Sequence, residues 1–177
     1  KKNKSMDDWY EFISALFGGF PEIKTFGNRL IHLLQNTSYD ILIDNQSLSF
    51  GVLQVQNRIP VIEIVHHPIT KDYEYDMQFS KSIIQKISKW RWFSFLKMQK
   101  KVAPLMNVIS TPSINSKDDI TKDFNVSKKN ITVIPNGIDH INFSPKKHIN
   151  RNSMQLITTA SADVPLKGLD FTLKAIY

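Results

Sequence analysis

The sequence contains no cysteine, and its 177 residues include only six glycines. The absence of cysteine excludes a disulfide framework and fits a reducing cytosol, so we expect a cytoplasmic protein. The six glycines are scattered along the chain, so it contains neither a Walker loop nor a glycine-rich dinucleotide fingerprint. These absences exclude the two familiar glycine-rich loops that bind nucleotides.

Long apolar runs are missing as well. No segment approaches the roughly 18 uninterrupted apolar residues that a membrane-spanning helix needs. Asp7, Asp8 and Glu11 interrupt the only segment near the start that could serve as the apolar region of a signal peptide. The hydrophobic fraction of 41% is nevertheless ample for a core. We therefore expect one domain or two small α/β lobes, without a signal peptide.

The net charge of +7 originates in one segment of the chain. Residues 81–101 contain no acidic residue and seven basic ones: Lys81, Lys86, Lys89, Arg91, Lys97, Lys100 and Lys101. The remaining residues carry 16 basic and 16 acidic side chains and are therefore balanced. This distribution indicates a local anionic partner and argues against a nucleic-acid-binding protein.

Segments typical of strands and helices alternate along the chain. Helices are predicted at 5–17 with Ser5 as N-cap, 28–35, 47–58, 76–103 as one long helix or two, 120–124 with a capping box from Ser116 to Asp119, and 169–177. Strands are predicted at 39–44, 60–65, 106–110, 131–134 and 154–159, and the apolar run 39–44 is typical of a strand buried on both faces. The alternation predicts an α/β, Rossmann-like fold, with a parallel sheet covered by helices on both faces.

Two adjacent histidines follow the second predicted strand. His66 and His67 lie where the strand ends, and open α/β sheets bind their ligands at the carboxyl ends of strands. An imidazole there can hydrogen-bond a substrate hydroxyl or a developing charge near neutral pH. The alternative is a histidine whose ring is satisfied by a neighbouring loop carbonyl. No third ligand stands at metal spacing, so we expect no zinc site.

A lysine and a glycine precede the last predicted helix. Lys167 and Gly168 stand at its N-terminus, where the lysine adds a full charge to backbone N–H groups that are already suited to phosphate. The alternative is a solvated lysine beside a capping glycine.

The basic segment forms an amphipathic pattern if it is one helix. Its lysines fall on one narrow stripe together with aromatic residues, whereas Ile83, Ile84, Ile87 and Met98 take the opposite side and are predicted to face the core. Such a stripe indicates an anionic membrane surface; the alternatives are a solvated lysine face over buried aromatics, or RNA. The stripe and the aromatic beside it comprise Lys86, Lys89, Trp92, Phe93, Lys97 and Lys100.

Three segments, taken in order, resemble the large retaining glycosyltransferase family four, which has the two-lobed B architecture. Residues 134–139 (Ile-Pro-Asn-Gly-Ile-Asp) resemble the segment that closes the family's first lobe, and residues 61–66 resemble the strand that ends in its active-site histidine. Residues 161–168 (Ser-Ala-Asp-Val-Pro-Leu-Lys-Gly) resemble the opening loop of its nucleotide-sugar lobe. Together with residues 66–70 and 91–95, these segments resemble one bacterial subgroup, and the likeness extends from about Tyr39 onward.

The resemblance implies a role for each of these sites. It makes His66 catalytic, His67 part of the acceptor side, and Lys167 with Gly168 the site of the donor phosphate. The implied reaction moves a hexose from a nucleoside diphosphate sugar to a glycan or lipid acceptor with retention of configuration. It needs no metal and no cofactor. Localisation is then cytoplasmic, or peripheral on the inner membrane face.

The sequence departs from the family pattern at informative places. Ser161 stands where the family has an arginine, and the glycine-rich first strand and loop of the first lobe is not recognisable. The family's paired glutamates, which hold the donor sugar and ribose, would fall beyond Tyr177. We therefore expect an incomplete chain that is inactive alone.

The resulting domain prediction is a first lobe over 1–140, a linker over 141–153 and the start of a nucleotide-sugar lobe over 154–177. One alternative function is a non-catalytic membrane-surface module that uses helix 81–103. Another is a different two-lobed sugar-phosphate enzyme, such as an epimerase.

Overall fold

A computed structural model of the chain describes residues 5–145, 152, 154–159 and 168–176. The chain divides into two compact units, Lys1–Pro135 and Asn136–Tyr177. The strands of the first unit are β1 (Leu42–Asn45), β2 (Val61–Ile64), β3 (Val108–Thr111) and β4 (Ile131–Val133). Its helices are α1 (Met6–Leu16), α2 (Glu22–Leu34), α3 (Phe50–Val55), α4 (Thr70–Phe79), α5 (Ile83–Trp92), α6 (Leu96–Val102) and α7 (Ile114–Phe124). The second unit contains α8 (Leu169–Ile176).

The four strands form one parallel sheet in the order β1-β2-β3-β4. Parallel neighbours cannot be joined by a tight turn, so each pair needs a crossover. Helix α3 connects β1 to β2, helices α4 to α6 connect β2 to β3, and α7 connects β3 to β4. The predicted α/β, Rossmann-like class is confirmed.

The two faces of the sheet differ in burial. Asp44, Glu63, Ile109 and Ile131 lie side by side in register on a face that is buried against the main core. On the other face, Ile43 is 59% exposed and Val108 is 42% exposed. The prediction that strand 39–44 is buried on both faces is therefore wrong. Among the described strands, β1 lies at the edge of the sheet beside β2, and its apolar run does not reveal this.

Helices α2 and α3 approach each other closely because glycines face each other at the contact. A Cβ atom on Gly51 would overlap the backbone carbonyl of Gly27, and one on Gly27 would overlap the side chain of Ser49. Ser49 also caps α3, since its hydroxyl accepts a hydrogen bond from the N–H of Val52 at 3.3 Å. This contact fixes the start of α3 and the loop that leads to it from β1.

The basic segment is not one helix. Helix α5 ends at Trp92, residues 93–95 form a 3-10 turn, and α6 begins at Leu96. The turn brings Phe93 and Phe95 into a small apolar cluster with Leu96, and both phenylalanines are 8% exposed. Two predictions are therefore wrong. Phe93 was predicted on the membrane-facing stripe but is buried, as in the alternative of buried aromatics, and Ile83, Ile84 and Ile87 were predicted to face the core but face solvent. Met98 is buried as predicted.

Two further predictions of local structure are wrong. Helix α7 begins at Ile114 with Ser113 as its N-cap, not Ser116, because the Ser113 hydroxyl accepts the N–H of Ser116 at 3.0 Å. Residues 154–159 form no strand. A strand needs a neighbouring strand, and the sheet that the described residues form consists of β1 to β4 without this segment. At the other end of the chain, Ser5 and Asp8 form a capping box, which confirms Ser5 as the N-cap of α1.

Candidate active site

The carboxyl ends of the parallel strands bring several polar residues to one edge of the sheet. Strand β1 ends at Asn45, β2 is followed by Val65, His66 and His67, and β3 ends at Thr111. Both histidines are exposed, so their rings are open to solvent at this edge. Open parallel sheets bind ligands in this position.

His66 is held by the residues that follow β1. Its ring Nε2 lies 2.9 Å from Oδ1 of Asn45, and its backbone N–H donates to Oε1 of Gln46 at 3.0 Å. The ring partner is therefore a side-chain amide rather than a loop carbonyl. The contact occupies Nε2 and leaves Nδ1 as the ring nitrogen that can interact with a substrate hydroxyl.

His67 is held on the other side of the same loop. Its Nε2 lies 3.2 Å from Oδ2 of Asp72 on α4, and its backbone carbonyl accepts a hydrogen bond from Nε2 of Gln46 at 3.0 Å. When the His67 ring is protonated, the contact with Asp72 becomes an ion pair. The two histidines therefore have different neighbours: a neutral amide beside His66 and a carboxylate beside His67.

The loop at residues 45–49, which we call the β1 loop, has an unusual backbone. Gln46 and Leu48 have φ angles of 67° and 46°, in the left-handed region that non-glycine residues seldom occupy. The loop is braced from two sides. The N–H of Ser47 donates to Oδ2 of Asp44 at 2.9 Å, and Nε2 of Gln99 on α6 donates to the carbonyls of Gln46 and Ser47 at 3.2 and 3.3 Å.

A buried carboxyl group lies beneath this loop. Glu63 of β2 is fully buried, and its carboxyl group faces the Asp44 side chain and the backbone of Gln46 and Leu48. Burial is the main cause that raises the pKa of Glu63 to about 10, and the neighbouring Asp44 carboxyl raises it further. Glu63 is therefore neutral at physiological pH.

The predicted donor-phosphate residues belong to the second unit. Gly168 has a left-handed φ of 70° and precedes α8, and its carbonyl accepts the N–H of Thr172 at 3.0 Å. Lys167 and Ser161 lie outside the described residues.

The predicted membrane stripe is divided between different environments. Lys89 pairs with Asp76 at 2.6 Å, Trp92 packs on Phe20 with ring centroids 4.7 Å apart, and Nζ of Lys97 lies 4.9 Å from the centroid of the Trp90 ring. Lys86, Lys97 and Lys100 are exposed. The large apolar side chains that α5 exposes are Ile83, Ile84, Ile87, Trp90 and Trp92.

The described ranges contain neither a metal-ligand cluster nor a membrane-spanning helix. No group of three His, Cys, Asp or Glu side chains there is arranged to hold a metal ion. Over those residues, no helix has both the length and the apolar character required to cross a bilayer.

Comparison with known proteins assigns the family. The chain matches Glycosyltransferase Family 4 over residues 8–141, which is most of its length. It belongs to this family. The family membership confirms the resemblance drawn from the strand that ends at His66 and from the closing segment at 134–139.

A curated relative shares the sequence beyond the first unit. The chain is 38% identical over 176 residues to the MMP alpha-(1->4)-mannosyltransferase of Mycolicibacterium hassiacum, and this match covers 98% of the chain. The chain spans 42% of the length of that relative. The match therefore includes both units, although the relative is more than twice as long.

Sequence reasoning identified the histidines but missed Asn45, Gln46, Glu63 and Gln99. Asn45 and Gln46 could have been predicted from their position directly after the strand 39–44. Polar residues in that position reach the same edge of the sheet as the histidines. A single glutamate within the apolar run 60–65 could have marked Glu63, since carboxyl groups are seldom fully buried. No local signal marks Gln99, which reaches the β1 loop from α6.

Proposed function

We propose that this family-four chain forms the acceptor side and the start of the donor side of a retaining hexosyltransferase. The observation that carries the proposal is the exposed His66 at the carboxyl end of β2, within the segment that matches the family. The proposed donor is a nucleoside diphosphate sugar and the proposed acceptor is a glycan or lipid hydroxyl. His67, fixed beside Asp72, lies on the acceptor side.

The proposed reaction exchanges one bond at the anomeric carbon. The bond from C1 of the sugar to the diphosphate breaks, the acceptor hydroxyl oxygen bonds to C1 on the same face, and the hydroxyl proton passes to the departing diphosphate oxygen. Charge accumulates on the departing diphosphate, so cations and N–H groups must surround it. We assign this task to Lys167 and to Gly168 at the start of α8. His66 then interacts with the sugar or acceptor through Nδ1.

Mannose is the first donor sugar to test, because the relative from Mycolicibacterium hassiacum is a mannosyltransferase. The assay uses the full-length protein with a nucleoside diphosphate mannose, its glucose counterpart as a comparison, and mannose oligosaccharides as acceptors. NMR of the product distinguishes retention from inversion at C1. A sugar nucleotide epimerised without an acceptor would instead favour the epimerase alternative, and an inverted product would exclude the retaining mechanism.

Replacement of His66 tests the assignment of the site. We expect His66→Ala to lower kcat by about 100-fold, at the lower end of what one positioned acid–base or hydrogen-bonding group contributes. His32→Ala is the matched control, because His32 is an exposed histidine on α2. Unchanged turnover in His66→Ala would reject the active-site role of this residue.

A second function, docking on an anionic membrane surface, is favoured by one observation on α5. Ile83, Ile84 and Ile87 are 77%, 80% and 48% exposed, and exposed Lys86 lies among them. Apolar side chains beside basic ones fit a bilayer interface that contains anionic lipids. We propose that this surface, together with Lys97 and Lys100, holds the protein peripherally on the membrane that carries its acceptor. The same surface would serve a non-catalytic membrane module.

A further inference from the structure

The side chain of Gln46 bridges the two histidines of the candidate site. Its Oε1 accepts the backbone N–H of His66 at 3.0 Å, and its Nε2 donates to the backbone carbonyl of His67 at 3.0 Å. A carboxamide carries a donor and an acceptor side by side, which no carboxylate, ammonium or guanidinium group does. One residue of the β1 loop therefore holds both ends of the His66-His67 dipeptide.

We propose that Gln46 is a positioning residue that fixes the orientation of His66 toward the substrate. This inference rests on the proposed function of His66 as an active-site residue. Gln46 contacts the backbone of both histidines and acts on the reaction through them. Its neighbour Asn45 contacts the His66 ring at 2.9 Å, so the same short loop sets both the backbone and the ring of His66.

The backbone of Gln46 supports this role because it adopts a conformation that glutamine does not favour. Its φ of 67° lies in the left-handed region, and such residues persist only where the surrounding structure holds them. The holding group is the side chain of Gln99, which is 1% exposed and donates to the carbonyls of Gln46 and Ser47. A loop that needed only to turn would carry glycine or asparagine at this position.

The precision of this arrangement matters for turnover. A misplacement of a reacting group by about 1 Å lowers rates by up to roughly 100-fold. The two hydrogen bonds of Gln46 hold the peptide groups on either side of the histidine pair, so their loss frees the pair to rotate. We therefore expect kcat to depend on Gln46 more strongly than the stability of the fold does.

Substitution by asparagine separates these two effects. Gln46→Asn keeps a carboxamide and tolerates the left-handed backbone better than glutamine, but it is one methylene too short to reach both histidine groups. In the full-length protein we expect kcat to fall about tenfold, with the melting temperature unchanged or higher. Hydrogen exchange measured by NMR should show faster exchange of the His66 amide, because its acceptor is removed.

Gln46→Glu is the matched control for Gln46→Asn, because it keeps the hydrogen bond from the His66 N–H. Gln46→Glu keeps the length and the acceptor for the His66 N–H, but it loses the donor to the His67 carbonyl. We expect the His66 amide to stay protected and kcat to fall less than in Gln46→Asn. Equal loss of protection in both variants would overturn the two-bond bridge.

The outcomes distinguish this inference from the proposed function. A Gln46→Asn protein with unchanged kcat would overturn the positioning role, and so would one whose kcat falls only in step with its stability. The unsubstituted protein could transfer no sugar while Gln46→Asn still shows faster hydrogen exchange of the His66 amide. The two hydrogen bonds of Gln46 would then be confirmed as a structural feature only. The proposed function, and with it the catalytic meaning of the bridge, would then be wrong.

Discussion

At the scale of single residues, the candidate site depends on a carboxyl group that carries no charge. Glu63 lies fully buried beneath the β1 loop, beside Asp44 of the neighbouring strand. Two carboxylates so close together in an apolar setting cannot both ionise without a large penalty. Burial of Glu63 in its neutral form therefore lets β2 carry a polar residue directly below the loop that holds His66.

This state predicts a pH dependence of stability. The folded chain keeps the Glu63 proton up to a pKa of about 10, whereas the unfolded chain loses it near the reference value of 4.5. Between these values the unfolded state binds fewer protons, so the free energy of unfolding falls as the pH rises, by at most about 1.4 kcal/mol per pH unit. Glu63→Gln removes this contribution, and denaturant unfolding from about pH 6 to pH 9 should show a flatter profile.

The control is Glu22→Gln, which removes an exposed glutamate at the start of α2. We expect this variant to keep the pH profile of the unsubstituted protein. Parallel profiles for Glu63→Gln and the unsubstituted protein would show that Glu63 is ionised in the folded state. The claim that Glu63 is neutral beneath the β1 loop would then be wrong.

Residue patterns predicted the place of the site but not its supporting contacts. His66 and His67 were found because a strand followed by a polar pair is a local signal. The role of Gln46 depends on a left-handed φ and on Gln99, which is 53 residues away in sequence. Periodicity and spacing contain no information on such a contact. Lys167 remains a prediction, because it lies outside the described residues.

At the scale of elements, the closest packing joins α2 and α3. Gly51→Ala gains about 1 kcal/mol of helix propensity, but its Cβ would overlap the backbone carbonyl of Gly27. Backbone atoms of a packed helix cannot move aside as a flexible side chain can, so overpacking at the upper end of its usual range, about 3 kcal/mol, outweighs the gain. We expect a net loss of about 2 kcal/mol in the free energy of unfolding, measured by urea denaturation.

Gly137→Ala is the matched control for this substitution. A Cβ atom at Gly137 meets nothing within 4 Å, so its effect should stay within about 0.5 kcal/mol. A Gly51→Ala protein as stable as the control would mean that α2 and α3 can separate without loss. The β1 loop, which leads into α3, would then be less firmly held than the structure indicates.

At the same scale, the prediction for the basic segment was wrong. The segment 81–103 was predicted as one helix with buried isoleucines, because apolar residues at helical spacing usually face a core. The clustering of Phe93 and Phe95 with Leu96 breaks the helix with a 3-10 turn, and the isoleucines before the turn face solvent. Amphipathic spacing indicates that two faces differ, but it does not indicate which face the rest of the protein covers.

At the scale of the whole molecule, charge is concentrated where apolar residues are exposed. Residues 81–101 carry seven basic side chains and no acidic one, in a chain whose net charge is +7. A basic segment that served only solubility would not also expose three isoleucines on one helix. The combination is the reason to expect membrane docking rather than a solvated surface.

Vesicle binding tests this expectation on the full-length protein. We expect co-sedimentation with vesicles that contain phosphatidylserine, weaker binding as salt rises, and none with purely zwitterionic vesicles. Lys86→Gln should weaken binding about fivefold, since each basic residue near an anionic surface contributes about 1 kcal/mol. Lys89→Gln should have a smaller effect, because Lys89 already pairs with Asp76.

The apolar part of the surface gives the sharper test. In the bound state, Ile83 and Ile84 would bury their side chains in the bilayer interface, where each CH₂ group contributes about 0.8 kcal/mol. Replacing both by serine removes this contribution, so the double variant should lose most of its binding. Ile114→Ser is the control, because Ile114 is 70% exposed at the start of α7, outside the basic segment. If the lysine variants weaken binding but the isoleucine variant does not, α5 attracts the membrane without entering it. If none of these variants changes binding, the exposed face of α5 has another use, and only the transferase proposal remains for this chain.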